Sequence, residues 1–559
     1  MKLYEAFSEK AANKVFVSIV LGALAGVAYA FLIPIVLNSL SPEYGPLKEI
    51  AYPNAYYVFG LEVATPKLAA VFLSLCGFIL IARSFSQITL LRVSMDVAVA
   101  LRMKIYRRIA SAPIIALERV GASRLIAVLT MDVGRIVMGA RVLPDLLIST
   151  VTLIGMLGFL LYMNANVFWF VIGAIIFGII SYQVPVYFGN KDFMRARHAA
   201  DDLQEAIQGL IYGAKELKLN HEKQDIYFNK VLCEVESIVS KYDKRGSTIV
   251  RAAMNYGDLI SFFVIGAIAF IFVNYHAITN SELVGVIMAL LYVTSPVATI
   301  LNCIPVIVIA QVSYNKVDEI FTELPVEANA LTAGFLPEWS TVHFTGVGFQ
   351  HHSPAGYGFK VGPVDFDVER GQITLIVGGN GSGKSTLSKL LTLHYVPTEG
   401  EIRFGDTIVT SETLLCCRQQ IGAIFTDYYL FDRLLTSTSD AQQVQIDAYL
   451  VALELDAKVN VTNGKFSTLA LSDGQKKRLA LLVSLLDERS FYLFDEWAAD
   501  QDPVFKAVFY EKILPDLRAR NKVIIVISHD ERYFHIADKI LVMDNGKLLR
   551  SERPPRVMA

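Results

Sequence analysis

Long apolar runs fill the N-terminal part of the chain, and shorter strand-like and helix-like segments fill the rest. A helix of about 20 apolar residues crosses the hydrocarbon of a bilayer. Six such runs occur, at 15–37, 68–91, 142–163, 167–188, 252–273 and 283–310, and each predicts a membrane span. The second run carries Arg83 and the fifth Asp258, so both need a polar partner or a solvated end. After Ala310 no comparable run recurs. The first run is too long for the apolar region of a cleavable signal peptide and predicts a retained helix. Within it, Gly22 and Gly26 sit at a helix-contact spacing that an Ala-rich span also produces by chance.

The connections between runs predict orientation. Arg92, Arg102, Lys104, Arg107, Arg108, Arg119, Arg124 and Arg135 lie between the second and third runs, and Lys191, Arg195, Arg197, Lys215 and Lys218 between the fourth and fifth. Both stretches belong in the cytoplasm by the positive-inside rule. The connections 39–67, 164–166 and 274–282 are poor in base and face outward, which places both termini in the cytoplasm. The stretch 199–228 repeats Leu203, Ile207, Leu210, Ile211 and Leu217 at helical spacing, predicting helices that continue below the bilayer. Around Pro325, Gly334 and Pro337 the pattern loosens. From Val342 strands and helices alternate. The expected fold is therefore an all-α six-helix membrane domain over 1–312, a linker over 313–341, and a soluble α/β P-loop domain over 342–559.

Composition agrees with a chain partly in lipid: 53% of residues are hydrophobic and mean hydropathy is +0.44. A formal net charge of −2, from 51 basic and 53 acidic residues, gives no reason to expect a nucleic-acid partner. Cys76, Cys233, Cys303, Cys416 and Cys417 lack metal-ligand spacing, so neither a disulfide framework nor a zinc site is expected. The adjacent Cys416 and Cys417 read as a redox pair or as two thiols packed in a helix.

The soluble part carries chemistry. Gly378-Gly379-Asn380-Gly381-Ser382-Gly383-Lys384-Ser385 follows the strand-like 373–377 and opens the helix-like run starting at Thr386. That context fits a P-loop, in which glycines turn backbone N–H groups toward phosphate, Lys384 reaches the β- and γ-phosphates, and Ser385 ligates Mg²⁺. A second apolar strand ends in Asp495 and Glu496, at the sheet edge where ligands bind. Asp495 suits the Mg²⁺ shell and Glu496 the orientation of an attacking water. Leu471-Ser472-Asp473-Gly474-Gln475 is either a second anion site or an ordinary helix cap. His529 follows the apolar strand 523–527 and is structural or directed at the γ-phosphate.

In this order the motifs resemble the ATP-binding cassette of ABC transporters, and six preceding spans resemble the exporter type with its membrane part fused ahead of the cassette. The resemblance implies a head-to-tail dimer with a second copy of the chain, in which one copy's P-loop and the other's Ser472, Gly474 and Gln475 close on the same ATP. It places Asp502 in the D-loop, His529 as the switch histidine, and Thr386 beside the nucleotide. The segments 113–121 and 206–219 look like the cytoplasmic coupling loops. Two positions depart from the family pattern. His351 stands where an adenine-stacking tyrosine is usual, and Thr426 stands at the Q-loop glutamine, leaving Thr426 or Asp427 for the Mg²⁺ contact. The run Asp495-Glu496-Trp497-Ala498-Ala499-Asp500-Gln501-Asp502-Pro503 is similar to the bacterial cyclic-peptide exporter branch. That branch implies a bacterial inner-membrane protein moving a microcin, lipopeptide or siderophore precursor. Polar groups within the spans, Asp145, Asp258, Tyr182, Gln183, Tyr292 and Asn302, are the candidates to meet cargo. A lipid flippase on the same scaffold is the alternative, and an ATP-gated regulator would be expected to lack Glu496 or His529.

Overall fold

The computed structural model describes residues 2–39, 56–58, 61–63, 66–271, 274, 280–327, 336–351, 358–436 and 439–552. They divide into two compact units, Met1–Ile105 with Arg124–Glu319, and Tyr106–Ser123 with Ile320–Ala559. The loop between the second and third spans thus belongs to the same unit as the cassette.

The first unit is helical. Its principal helices are α1 (Lys2–Ser39) and α2 (Pro66–Ser111, which runs on into the second unit). A string of short helical pieces from Ala122 to Arg141 leads into α4 (Leu143–Met163), and α5 (Ala165–Tyr212), α6 (Cys233–Phe270) and α7 (Asn280–Glu323) follow. Helix α3 (Ile114–Val120), between α2 and α4 in sequence, lies in the second unit. Among the described residues, six helices are long and apolar enough to cross a membrane. At 1.5 Å per residue the 46 residues of α2 extend about 69 Å, more than twice the hydrocarbon thickness of about 30 Å. Helices α2, of 46 residues, and α5, of 48, are thus each long enough to continue well beyond the hydrocarbon. Helix α7 also runs on to Glu323, because no proline or glycine interrupts 313–323 before Pro325.

Polar residues within the spans find partners. Arg83 donates to Tyr29 Oη at 3.3 Å and lies 3.7 Å from the Asp145 carboxylate, while Gln87 Nε2 donates to Asp145 Oδ1 at 2.6 Å. Pairing makes a charge at membrane depth tolerable. The glycine spacing in α1 is a helix contact. A Cβ at Gly26 would fall 2.9 Å from Ile148 O and 2.9 Å from Val151 Cβ, both on α4, and Thr152 Oγ1 donates to Gly26 O at 3.3 Å. We expect Gly26→Leu to wedge these helices apart at a cost of about 1–3 kcal/mol, the usual scale for overpacking. Thermal unfolding in detergent should show a lowered midpoint, and an unchanged midpoint would rule out this contact.

Among the described residues, the second unit carries two large sheets and one small hairpin, Val461–Thr462 with Lys465–Phe466. An antiparallel sheet contains β1 (Thr341–Gln350), β2 (Lys360–Glu369), β4 (Glu399–Phe404) and β5 (Thr407–Ile408), in the order β2-β1-β4-β5. The larger sheet contains β3 (Ile373–Gly378), β6 (Ile421–Ile424), β7 (Phe491–Asp495), β8 (Val523–Ile527), β9 (Lys539–Asp544) and β10 (Lys547–Glu552), in the order β10-β9-β3-β8-β7-β6. Strand β8 is apolar throughout and β7 is apolar or aromatic up to its last residue, Asp495; both are buried along their whole length, as expected for parallel strands covered on both faces. The parallel register pairs Asp495 with Ile527 and Ile527 with Ile376. The P-loop, the two acids and Ser528-His529 therefore leave the sheet at one carboxyl edge. Cys416 and Cys417 lie buried in a short helix, Leu414–Arg418, and burial pushes the Cys417 thiol up to about 12, so it stays protonated and unreactive.

Candidate functional site

Strand β3 hands the chain to helix α8 (Lys384–Leu391) through a loop that only glycine satisfies at key points. A Cβ on Gly378 would lie 2.3 Å from Met543 O, and Gly383 has φ +97. Lys384 is buried, and its ammonium donates to Gly378 O at 2.8 Å and Gly379 O at 3.0 Å. Ser382 Oγ is buried with no hydrogen-bond partner among the described residues, a polar atom that an oxyanion would satisfy. Phe359, Asn380, Gly381, Ser382, Gly383, Lys384, Ser385, Thr386 and Glu496 line one cavity of about 350 Å³.

The acids sit as their strand predicts. Asp495 is buried, and that burial raises its pKa; a hydrogen bond with Ser388 opposes the rise, while Glu496 and Asp427 reinforce it. A buried carboxylate crowded by two more acids calls for a cation, so Ser385 and Asp495 fit a Mg²⁺ ion. Thr426 Oγ1 lies 3.4 Å from the backbone oxygen of Asp495 and donates there, while Asp427 is exposed beside the pair. Glu496 takes φ +50, a conformation costly for a residue with a Cβ and often found at working sites. His529 Nε2 lies 3.3 Å from Glu496 Oε1.

The helix α9 (Asp473–Leu486) begins with a capping box. Ser472 Oγ accepts from Gln475 N–H, and the Gln475 side chain accepts from Ser472 N–H. The helix-cap reading is thus realised at Ser472 and Gln475. It does not consume the Ser472 hydroxyl proton, which remains available to an incoming phosphate. Gly474 O accepts from Gln501 Nε2 at 3.0 Å. Asp502 caps the helix α10 (Pro503–Val508) and pairs with Arg478. The Arg478 guanidinium also meets Glu454 and Gln501 and lies 3.7 Å over the Phe505 ring. Lys477 meets Asp500 at 2.6 Å, and Trp497, fully buried, donates to Lys477 O at 2.9 Å. The signature helix and the loop after Glu496 are therefore one hydrogen-bonded body.

Residues matching 361–499 fit the family model "ABC transporter". The chain is 29% identical to ATP-binding protein SyrD of Pseudomonas syringae pv. syringae, over 95% of this chain and 93% of that protein. This chain belongs to the ABC transporters. It is also 28% identical to Lactococcin-A transport/processing ATP-binding protein LcnC of Lactococcus lactis subsp. lactis, over 49% of this chain and 39% of the relative. Over 80% of this chain and 76% of the relative it is 26% identical to the ATP-dependent lipid A-core flippase of Shewanella frigidimarina. It is an ABC exporter half, a multi-pass membrane protein with six spans fused ahead of a cytoplasmic, ATP-hydrolysing cassette. Half-transporters of this family work as dimers.

The exporter's membrane unit holds a second cavity, of about 500 Å³, bounded by α5, α6 and α7. Its lining is mostly apolar, with Tyr182, Arg251, Asn255, Thr294, Ser295 and Asn302 as polar points. Of the span residues predicted to meet cargo, Asn302 and Tyr182 line it. Asp145 is engaged with Gln87 and Arg83, and Tyr292 packs near Tyr29 with ring centroids 6.2 Å apart. The Asp258 side chain lies outside the described residues.

Sequence reasoning missed Phe359. The backbone N–H of His351 donates to Phe359 O at 3.0 Å, one step beyond the Gln350–Lys360 pair, so the β1–β2 ladder sets the two side by side. Only that register, hidden in sequence by the intervening loop, brings Phe359 to the P-loop. His351 itself directs Nε2 to Thr386 Oγ1 at 3.1 Å. The loop 113–121 was anticipated as a coupling element, but its cassette partners were not. Glu118 on α3 accepts from Lys389 at 2.7 Å and from the Tyr395 hydroxyl, and Ile115 packs on the cassette core. Burial would raise the Glu118 pKa, yet the hydrogen bonds from Lys389 and Tyr395 outweigh it and hold the carboxyl below its usual range.

Proposed function

We propose that two copies of this chain form a homodimer in a bacterial inner membrane and export a peptide-like molecule by alternating access. The division into a membrane domain over 1–312, a linker over 313–341 and a cassette over 342–559, with both termini cytoplasmic, goes with that reading. In each ATP site, Lys384 and the backbone of Gly378 to Thr386 hold the phosphates, and Ser385 and Asp495 hold Mg²⁺. When bound, Mg²⁺ neutralises charge that builds on the phosphates in the transition state. Glu496 accepts the proton of the attacking water, and His529 holds the Glu496 carboxylate in place and faces the γ-phosphate. Ser472 and Gly474 of the partner copy complete the site. The peptide reading rests above all on a name, the transport of lactococcin by LcnC. The cavity beside α5, α6 and α7 supports it, because amide and hydroxyl groups spaced within apolar walls suit an amphipathic peptide.

The flippase reading has its own support in a relative that aligns over 80% of this chain. The two separate in nanodiscs. A purified cyclic lipopeptide should raise ATP turnover about twofold or more, while lipid A-core leaves it unchanged. The reverse result would move the assignment to a flippase.

A further inference from the structure

Side chains on one face of the P-loop helix reach two destinations. Thr386, next to Ser385, meets His351 Nε2 at 3.1 Å. Lys389, three residues on and therefore on the same face, meets Glu118 Oε1 at 2.7 Å on α3. A third residue closes the circuit. Tyr395 is buried and donates its hydroxyl to Glu118 Oε2, and its ring takes the edge of the His351 imidazole at 5.8 Å between centroids. Phe349 stacks on Tyr395 at 4.5 Å and abuts His351 at 5.1 Å, so the imidazole is packed as well as hydrogen-bonded. All these residues belong to one compact unit.

A ring that stacks on a nucleobase must offer a free face. His351 has committed one nitrogen to Thr386 and packs at steep interplanar angles, 83° and 75°, against Phe349 and Tyr395, so its ring is already held by protein neighbours. Phe359 is 43% exposed and lines the P-loop cavity, and its Cε1 lies 3.4 Å from where a Cβ on Gly383 would stand. Among the described residues, the exposed ring that lines the phosphate-loop cavity is that of Phe359.

We infer that His351 is a positioning residue that ties Thr386 of the phosphate-binding helix, through Tyr395, to Glu118 on the helix that follows span two, while Phe359 takes the nucleobase. The histidine at this position then has a use that the usual tyrosine lacks. Its Nε2 grips the helix that carries the Mg²⁺ serine, and its ring rests on the tyrosine that grips α3. A shift of α8 as ATP enters moves Thr386 and Lys389 together, and both ends of that movement reach Glu118. The inference rests on the P-loop being the ATP cradle.

The test is hydrogen exchange of the segment 106–123 in full-length protein in nanodiscs, with and without MgATP, in a Glu496→Gln background that prevents turnover. ATP affinity is measured on the same samples. With His351 intact, MgATP should change exchange of this segment by at least about fivefold. His351→Ala should keep ATP affinity within about threefold yet reduce that change to less than about twofold, and Glu118→Gln should do the same from the other end. His351→Gln, which lacks the ring that packs on Tyr395, should also leave the response below about twofold. Phe359→Ala should weaken ATP binding about tenfold and leave the response intact at saturating nucleotide. The relay is overturned if the 106–123 response survives in His351→Ala, or if that variant loses ATP affinity about tenfold, the behaviour of a base platform. Failure of the cradle reading would look different, as absence of ATP binding in every sample.

Discussion

Replacing Glu496 by glutamine should slow ATP hydrolysis by about 10²–10⁴-fold, the range removed with a general base, while ATP stays bound and the two cassettes stay closed on it. The substitution is nearly isosteric. Glutamine can still accept a hydrogen bond from His529 at the 3.3 Å separation seen here, but its amide oxygen cannot take the proton of an attacking water. The backbone does not confuse the result. Residue 496 is held at φ +50, with its N–H on Ile527 O at 3.0 Å. Glutamate and glutamine resist that conformation alike, so the strain is the same in both proteins. Phosphate release and retained nucleotide, read together on the reconstituted dimer, check the expectation. Turnover within about twofold of the parent would take Glu496 out of the base role.

That expectation came from sequence because its residues are consecutive. A strand, two acids and a P-loop are each local patterns, and a parallel sheet converts strand ends into one edge. The six spans were legible for the same reason, since a run of apolar residues declares itself without any partner. What stayed hidden depends on pairing between distant segments. Arg83 and Asp145 could each be marked as an odd charge in an apolar run, but only packing of α2 near α4 makes them a pair. Asn302 was visible as a polar residue in a span, whereas its cavity needs α5, α6 and α7 together. The departure at His351 was visible as a missing tyrosine. Its contacts with Thr386 and Tyr395, and the presence of Phe359 in the cavity, follow from an antiparallel register that the residues between 351 and 359 do not encode. Ser472 and Gln475 show the opposite case, where spacing alone specified the reciprocal cap.

Lys384→Ala should act earlier than Glu496→Gln, on binding itself. Here Lys384 is 7% exposed and its ammonium is folded onto Gly378 O and Gly379 O, so the loop already holds the lysine inside the space where phosphate must lie. A charged hydrogen bond contributes about 1.5–3 kcal/mol. Losing the ammonium that would transfer from these two carbonyls to the phosphates should therefore weaken MgATP by about 10- to 150-fold. Titration of ATP into the reconstituted protein measures this directly, and unchanged affinity would remove Lys384 from the cradle. Lys384→Arg sharpens the argument. If positive charge alone mattered, arginine would rescue binding. Two carbonyls converging on a single nitrogen fit a compact ammonium and not a planar fork with its donors spread across the group. Arginine should therefore fail to restore affinity, and a full rescue would mean that the loop supplies only charge and no shape.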